Sequence, residues 1–263
     1  PNPLPLRRAV LALLDKGGAE PAQAALAPFA GQPAAGERHL VSVCELSLML
    51  GSALGLDEWA LAELGVAALV HDVGYLISRD RSRHPVAGAR VLLRQRGFSQ
   101  AKVRRLIAVL EHAREDLDGE RPPSLFARIL HLTEHYDLLT SPRGAEPAAC
   151  SPATALARMW AARGRSYDAT LLALFVRSLG LYPPGTVLEL TDGSVAVVVR
   201  VPAGHWDAPV VRTIRAPDGS PARAQGERDL SDAAGKTAVR AVVEPAACGE
   251  ETARTCRALL RRQ

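Results

Sequence analysis

Paired cysteines, a strong excess of one charge and long apolar runs are all missing from this sequence. Its four cysteines form no C-x-x-C pair, and a chain of 263 residues needs no disulfides, so we expect reduced thiols and a cytoplasmic location. The 32 basic residues are nearly balanced by 28 acidic ones, which argues against a nucleic-acid polymer as partner. No apolar run approaches the roughly 20 residues of a membrane span, so we expect no membrane contact by this domain.

The hydrophobic pattern divides the chain into four segments. Residues 1–36 combine one helix with a linker rich in Ala, Pro and Gly, and residues 37–182 carry a series of amphipathic helices. Residues 183–218 change to a strand pattern. Residues 219–263 have uncertain structure, and their last thirty or so positions predict only one weak strand and one short basic helix. The predicted fold class is therefore mainly α, a helical bundle with a small antiparallel β appendage near the C-terminus. Because the first residue is proline, we expect an excised piece, with room for a sensor domain upstream of it.

Capping residues predict where the helices of the second segment begin. Asp57, Ser99 and Ser124 each precede an amphipathic stretch and can accept hydrogen bonds from the amides of its first turn. His84 precedes a proline, which places it at the mouth of the next helix.

Histidines and carboxylates in this segment lie at helix ends or interrupt apolar helix faces. In the pair His71-Asp72 the side chains diverge by about 100°, so the imidazole can bind one metal ion while the carboxylate bridges to a second. Such residues on successive helices are where helical bundles build metal sites. In chain order the series is His39, His71, Asp72, His84, Glu111, His112, Glu134 and Asp137, and all of these except Asp137 are candidate ligands.

Imidazole nitrogen combined with carboxylate oxygen suits iron, manganese or zinc and, less well, magnesium. Two such ions roughly 3.5–4 Å apart can clamp a phosphodiester and activate water. The pattern therefore favours a metal-dependent phosphohydrolase.

The order of these motifs resembles the HD-GYP family of cyclic di-GMP phosphodiesterases over residues 37–218. The pair His71-Asp72 matches the first two positions of the family's HDxGK motif, and His84 matches its HP-x-x-G motif, which here is HPVAG. His39 matches the first metal-binding histidine, and the closing segment YPPGTVLELTDGSVAVVVRV is very like the family's own. Of the family's paired histidines, His112 is present.

Several positions depart from the family pattern, so the chain resembles a degenerate member. Glu111 stands where the family has the other paired histidine, and Glu134 stands where it has an aspartate. The HDxGK lysine is Tyr75, which removes a cation that would neutralise developing phosphate charge. The Gly-Tyr-Pro tripeptide is replaced by 121–123, Arg-Pro-Pro. The residues predicted to contact substrate in this altered part are Tyr75, Arg114, Asp118 and Arg121.

The resemblance implies an HD-type helical bundle with two divalent ions, iron or manganese being favoured and zinc or magnesium being compatible. One ion would be held by His39, His71, Asp72 and Glu134, and the other by Asp72, His84, Glu111 and His112. His71 and Asp72 would be the catalytic pair. Cyclic di-GMP or a related phosphodiester is the expected substrate or ligand, with reduced or altered activity, and a homodimer is compatible with this expectation.

Three other interpretations stay open. The chain can be an inactive signalling or binding module that keeps the fold and the metal. The segment His131-Leu-Thr-Glu134-His135 fits the H-x-x-E-H pattern of zinc peptidases, although a short motif of this kind often occurs by chance. Finally, Glu111 and Glu134 can simply pair with arginines such as Arg104 or Arg128, while the histidines satisfy hydrogen bonds in the core.

Overall fold

The computed structural model describes residues 4–17, 35–95, 97, 99–115, 117, 121–141, 149–222, 226–232, 237–244 and 247. The chain divides into two compact units. The first draws on Pro1–Ala24, Pro33–Asp137 and Met159–Phe175, and the second on Ala25–Gln32, Leu138–Arg158 and Val176–Gln263.

Helices make up most of the described chain up to residue 179, as the sequence predicted. The α-helices are α1 (Leu4–Gly17), α2 (Ala35–Ala53), α3 (Glu58–Val70), α4 (His84–Leu93), α5 (Gln100–Glu111), α6 (Leu125–Thr140), α7 (Pro152–Ala161) and α8 (Ala169–Leu179). A short 3-10 helix, Val73–Leu76, follows α3.

The predicted capping residues begin three of these helices. Asp57 accepts a hydrogen bond from the Ala60 amide at 2.7 Å, and Ser99 accepts one from the Lys102 amide at 3.2 Å. The Ser124 hydroxyl accepts one from the Ala127 amide at 3.4 Å. Each cap satisfies an amide that has no partner within its own helix.

Helix α3 is the central helix of the first unit. Its residues 60–68 are all buried, which is why its sequence is apolar on every side. By length and composition alone, Glu58–Leu76 could also cross a membrane, but more than half of this stretch is buried in the protein. We therefore interpret α3 as a core helix whose C-terminal end presents His71 and Asp72.

Gly74 lets the 3-10 helix approach the first turn of α4. A Cβ atom at this position would lie 1.9 Å from the His84 carbonyl oxygen and 2.7 Å from the Gly88 amide nitrogen. Only glycine fits so close to another backbone segment. This contact holds Asp72, at the start of the 3-10 helix, near His84, at the start of α4.

The second unit contains a five-stranded antiparallel sheet. The strands are β1 (Val187–Leu190), β2 (Val195–Arg200), β3 (Val210–Arg215), β4 (Arg228–Asp229) and β5 (Val239–Val243), in the order β4-β3-β2-β1-β5. Alternate residues of β1 enter different apolar clusters, Val187 in one and Leu188 in the other, so both faces of the sheet carry apolar residues.

The sheet extends beyond residue 218, where the sequence placed the end of the β appendage. Strand β5 pairs with β1, with Leu188 opposite Val242. Strand β4 has only two residues, and such a short element gives no pattern that a sequence can reveal. The short basic helix expected near the C-terminus lies outside the described residues.

Candidate metal centre

Asp72 is the common neighbour of four imidazoles in the first unit. The Nε2 atoms of His71 and His84 each lie 3.5 Å from Asp72 Oδ1, and that of His112 lies 3.9 Å from the same oxygen. His39 Nε2 approaches the other oxygen, Oδ2, at 3.5 Å. Helix α2, the end of α3, the start of α4 and the end of α5 thus bring four nitrogens to one carboxylate.

The backbone orients three of these rings in the same way. The Nδ1 atoms of His71, His84 and His112 donate to the carbonyl oxygens of Ala68, Arg81 and Val109 at 2.6, 2.7 and 2.8 Å. A carbonyl oxygen only accepts, so Nδ1 carries the proton and Nε2 of the neutral ring presents a lone pair. Metal-bound histidines are usually held in this manner.

The ring nitrogens also approach each other in a way that favours a cation between them. Nε2 of His84 lies 3.0 Å from Nε2 of His112, and both lone pairs point inward. His71 Nε2 and Asp72 Oδ1 are buried without a hydrogen-bond partner among the described residues. Buried lone pairs of this kind cost free energy unless a donor or an ion meets them. The donor set therefore fits a divalent metal ion.

Burial and charge set the protonation of the cluster. Burial lowers the pKa of His71 to about 4, and burial together with the neighbouring His71 lowers the pKa of His112 to about 3. For Asp72, burial alone would raise the pKa, but the close contact with His39 and the other nearby imidazoles lowers it well below its usual range. Neutral imidazoles and an ionised carboxylate are the forms that bind metals.

Glu134 completes the most compact set of ligand atoms. One atom each from His71, Asp72, His112 and Glu134 lie within 4.8 Å of one another. Glu134 comes from α6, and its Oε2 atom lies 3.9 Å from His112 Nε2. The carboxylate that stands in place of the family's aspartate thus lies beside the imidazoles.

Glu111, in contrast, contacts the Ser124 amide and Arg114. Its Oε2 atom accepts a hydrogen bond from the Ser124 amide at 2.8 Å, and its Oε1 atom lies 3.7 Å from an Arg114 nitrogen. The carboxylate therefore joins the end of α5 to the start of α6, and it is not one of the four grouped ligand atoms.

The arginines named in the simple pairing interpretation have other contacts. Arg104 lies over the ring of Trp59, with its guanidinium carbon 4.9 Å from the ring centroid. Arg128 pairs with Asp168 at 2.5 Å. Neither of these contacts involves Glu111 or Glu134, so they do not explain why those carboxylates enter apolar helix faces.

Asp137 closes the series of histidines and carboxylates seen in the sequence, and the structure gives it a role that the sequence did not assign. It lies one helical turn after Glu134, and its Oδ2 atom accepts a hydrogen bond from His39 Nδ1 at 2.7 Å. Both side chains are buried. The bond leaves His39 Nε2 directed at Asp72, as the carbonyl oxygens do for the other three rings.

A cleft of about 570 Å³ opens beside the cluster, and His84 and Glu134 are among the residues that line it. Arg81, Arg114 and His135 line it as well. Arg114 donates to the Arg121 carbonyl oxygen at 3.0 Å. Of the residues predicted to contact substrate, Arg114 lines the cleft and Arg121 contacts Arg114. Asp118 lies outside the described residues.

Tyr75 packs directly on a member of the cluster. Its ring stacks on that of His84, with centroids 4.1 Å apart and planes 7° from parallel, and 39% of the residue is exposed. The residue in the family's lysine position thus covers a candidate metal ligand with a neutral aromatic face.

The geometry argues against the zinc peptidase interpretation. His131 Nδ1 donates to the His112 carbonyl oxygen at 2.9 Å. His135 Nε2 lies 3.5 Å from an Arg81 nitrogen, so a guanidinium occupies the side where a zinc ion would bind. Glu134 groups with His71, Asp72 and His112 and not with these two histidines.

Comparisons with known proteins found a matching family model and a similar curated protein. The family model described as the HD domain matches residues 36–139. A curated protein of Pseudomonas aeruginosa, cyclic di-GMP phosphodiesterase PA4108, is 31% identical over 186 residues, which are 62% of this chain and 44% of that protein. The chain thus spans less than half the length of that relative. The two findings confirm the resemblance that the motifs predicted.

Among solved structures, the chain is similar to Bd1817, described as an HDG"Y"P protein from Bdellovibrio bacteriovorus. The two are 19% identical, with a TM-score of 0.43, over 53% of this chain and 50% of that one.

Proposed function

We propose, from the match of residues 36–139 to the HD domain family model, that this chain is a metal-dependent phosphodiesterase of the HD-GYP type. The observation that supports this most is the convergence of four imidazole Nε2 atoms on Asp72. The proposed substrate is cyclic di-GMP or a related phosphodiester, since the Pseudomonas relative is described as acting on that compound.

Two sets of residues would hold the ions, and iron or manganese is favoured. The first set is His39, His71, Asp72 and Glu134. The second is Asp72, His84 and His112, because the Glu111 carboxylate, which the sequence assigned to it, accepts from the Ser124 amide. When bound, a divalent ion polarises the phosphoryl oxygens and lowers the pKa of water.

The protein's own residues would attract the substrate and hold the metal-binding imidazoles in a fixed orientation. Arg81 and Arg114 give the cleft positive charge, which attracts a phosphodiester toward His84 and Glu134. The backbone carbonyls fix the tautomers of His71, His84 and His112, so no reorganisation is needed when a ligand arrives. Asp72 stays ionised and provides the negative charge that balances the cations.

A second candidate function is a binding module that keeps metal and ligand but does not turn over. Tyr75 is the observation that favours it. A stacked neutral ring stands where the family has a lysine, so a developing negative charge on phosphate meets no cation from this position.

Metal analysis and a turnover assay separate the two functions. Anaerobically purified protein should contain about two divalent ions per chain and should hydrolyse cyclic di-GMP when Mn²⁺ or Fe²⁺ is supplied. The variant Asp72→Ala should lose both properties, and His205→Ala, a change at an exposed histidine of the second unit, should keep both.

Binding of cyclic di-GMP without hydrolysis would favour the binding module over the enzyme. Full metal content in Asp72→Ala would contradict both functions, since each depends on this centre.

A further inference from the structure

Arg81 and His135 lie next to each other in the cleft, and neither is a candidate ligand of the metal centre. Arg81 lies in the turn before α4, and His135 follows Glu134 in α6. An Arg81 guanidinium nitrogen lies 3.5 Å from His135 Nε2, the outer limit of a hydrogen bond. Both residues line the same cleft as His84 and Glu134.

We propose that Arg81 and His135 form a subsite for a second phosphate group of the substrate, apart from the phosphodiester at the metal centre. This inference rests on the proposed function. It names the substrate class as phosphodiesters that carry another phosphate within reach of the same cleft.

His135 can act as a donor beside Arg81. Its Nδ1 atom lies 3.1 Å from the Tyr167 hydroxyl, which can either donate or accept. When the hydroxyl donates to Nδ1, the ring proton lies on Nε2, on the side of the Arg81 guanidinium. An anionic oxygen placed between the two groups would accept from both and would thereby favour this tautomer.

The charge on Arg81 is also available, in contrast to that of its neighbour. Within the described part of the chain Arg81 forms no ion pair, whereas Arg83, two positions later, pairs with Asp80 at 3.3 Å. A guanidinium that faces an imidazole can bind phosphate with two parallel hydrogen bonds.

Other charges in the cleft favour this end for the second phosphate. Arg114 lies near Glu111, and Glu134 belongs to the metal cluster. Glu115 lines the cleft too, and its charge acts on Tyr167, the neighbour of His135, so the Arg81 cation is needed there to offset this carboxylate. Arg81 is therefore the best placed cation.

An apolar wall lies in the same cleft. Val86 and Leu110 line it and are 46% and 40% exposed, and Pro85 lies beside them. Such a surface can pack against the sugar or base that joins two phosphates. The cleft thus offers an apolar surface together with two polar regions, the metal cluster and the Arg81–His135 pair.

The test compares two linear dinucleotides that differ in one group. One carries a 5′-phosphate in addition to its internal phosphodiester, and the other ends in a 5′-hydroxyl. With Mn²⁺ supplied, we expect kcat/KM to be about tenfold higher for the phosphorylated compound, the effect of one charge-assisted contact. Arg81→Gln should remove this preference, and the matched change Arg83→Gln should keep it. His135→Phe should reduce the preference without removing it.

The outcomes separate the subsite from the proposed function. Equal hydrolysis of both dinucleotides by the unchanged protein would overturn the subsite but not the proposed phosphodiesterase function. A preference that survives in Arg81→Gln would have the same meaning. If neither compound is hydrolysed, the catalytic function fails, and calorimetric binding of the two compounds to the Mn²⁺-loaded protein decides the subsite. Tighter binding of the phosphorylated compound supports the subsite if Arg81→Gln loses the preference and Arg83→Gln keeps it. Equal affinity of the unchanged protein for the two compounds overturns the subsite.

Discussion

His39 in α2 and Asp137 in α6 are joined by a buried hydrogen bond of 2.7 Å, although 98 positions separate them in the chain. The bond fixes which nitrogen of His39 carries the proton. Nε2 is therefore left facing Asp72 at 3.5 Å, in the form that a metal ion requires. A carboxylate thus orients the one imidazole of these four whose Nδ1 does not donate to a backbone carbonyl oxygen.

Replacing Asp137 by asparagine should weaken metal binding without unfolding the protein. The amide keeps the shape of the side chain but loses the charge that polarises His39, and losses of such partners typically lower metal affinity about 10- to 100-fold. Titration of metal-free protein with Mn²⁺ measures the change. Asp57→Asn, which keeps a good helix cap, is the matched control and should leave the affinity unchanged. Equal affinities in the two variants would show that Asp137 has no part in the centre.

The stability of the metal-free protein should fall as the pH is lowered through the range in which free histidine titrates. Burial lowers the pKa of His71 from 6.5 to about 4. Below pH 6.5 the unfolded chain binds a proton on this ring and the folded protein does not, so the unfolded state binds more protons. His71 alone should reduce the free energy of unfolding by about 2 kcal/mol between pH 8 and pH 5.

Urea unfolding of metal-free protein at these two pH values measures that loss. His71→Asn lacks the titrating ring and should show a correspondingly smaller loss. His205→Asn, a change at an exposed histidine, should behave like the unchanged protein. An identical pH dependence in all three proteins would contradict the assignment of the loss to His71.

Much of the fold could be predicted because its signals are local. Asp57, Ser99 and Ser124 cap amides only three positions away, so short sequence windows contain both partners. The turn Asp192-Gly193 likewise sets the β1–β2 hairpin within a few residues, and Gly193 has the positive φ of 83° that such a turn requires. The imidazoles and Asp72 were found through motifs, and the helices that carry them bring them together.

What sequence reasoning missed depends on partners that are distant in the chain. The apolar pattern of α5 places Glu111 on a buried face, but only the packing of α6 decides that it meets the Ser124 amide. Asp137 and Arg81 were not assigned roles for the same reason, since each contacts a histidine at least 50 positions away. Strand β5 was weak in the sequence because its pairing with β1 supplies the order that its own pattern lacks.

Glu244 should stabilise the second unit, although it follows the last strand. Its carboxylate accepts from the Ser151 amide at 2.9 Å and from the Ser151 hydroxyl at 3.1 Å, and it also accepts from the Thr154 hydroxyl. It thereby holds Ser151, whose own hydroxyl caps α7 by accepting from the Thr154 amide at 3.2 Å, and it ties the end of β5 to that helix. Glu244→Ala should lower the free energy of unfolding by about 1 to 2 kcal/mol, since it leaves these donors without their charged acceptor.

Thermal or urea unfolding measures the effect of Glu244→Ala. The control is Glu227→Ala, because Glu227 makes only exposed pairs with Arg200 and Arg212, and exposed pairs contribute about 0 to 1 kcal/mol. If the two variants lose the same stability, the hydrogen bonds of Glu244 to Ser151 and Thr154 stabilise the unit no more than an exposed ion pair does.

Changing Tyr75 to lysine should raise the rate of phosphodiester hydrolysis under the proposed function. The tyrosine ring stacks on His84 at 4.1 Å and is partly exposed, so a lysine at this position can reach the cleft beside the metal centre. A cation placed there stabilises the charge that develops on phosphate, and we expect kcat to rise at least about tenfold.

The substitution also removes the stacked ring, which loosens His84 and opposes the gain. Tyr75→Met removes the ring without adding charge, and Tyr75→Phe keeps the ring, so the ratio of the Lys and Met rates isolates the effect of the cation. A lysine variant that is no faster than the methionine variant would show that the neutral residue at position 75 does not limit catalysis.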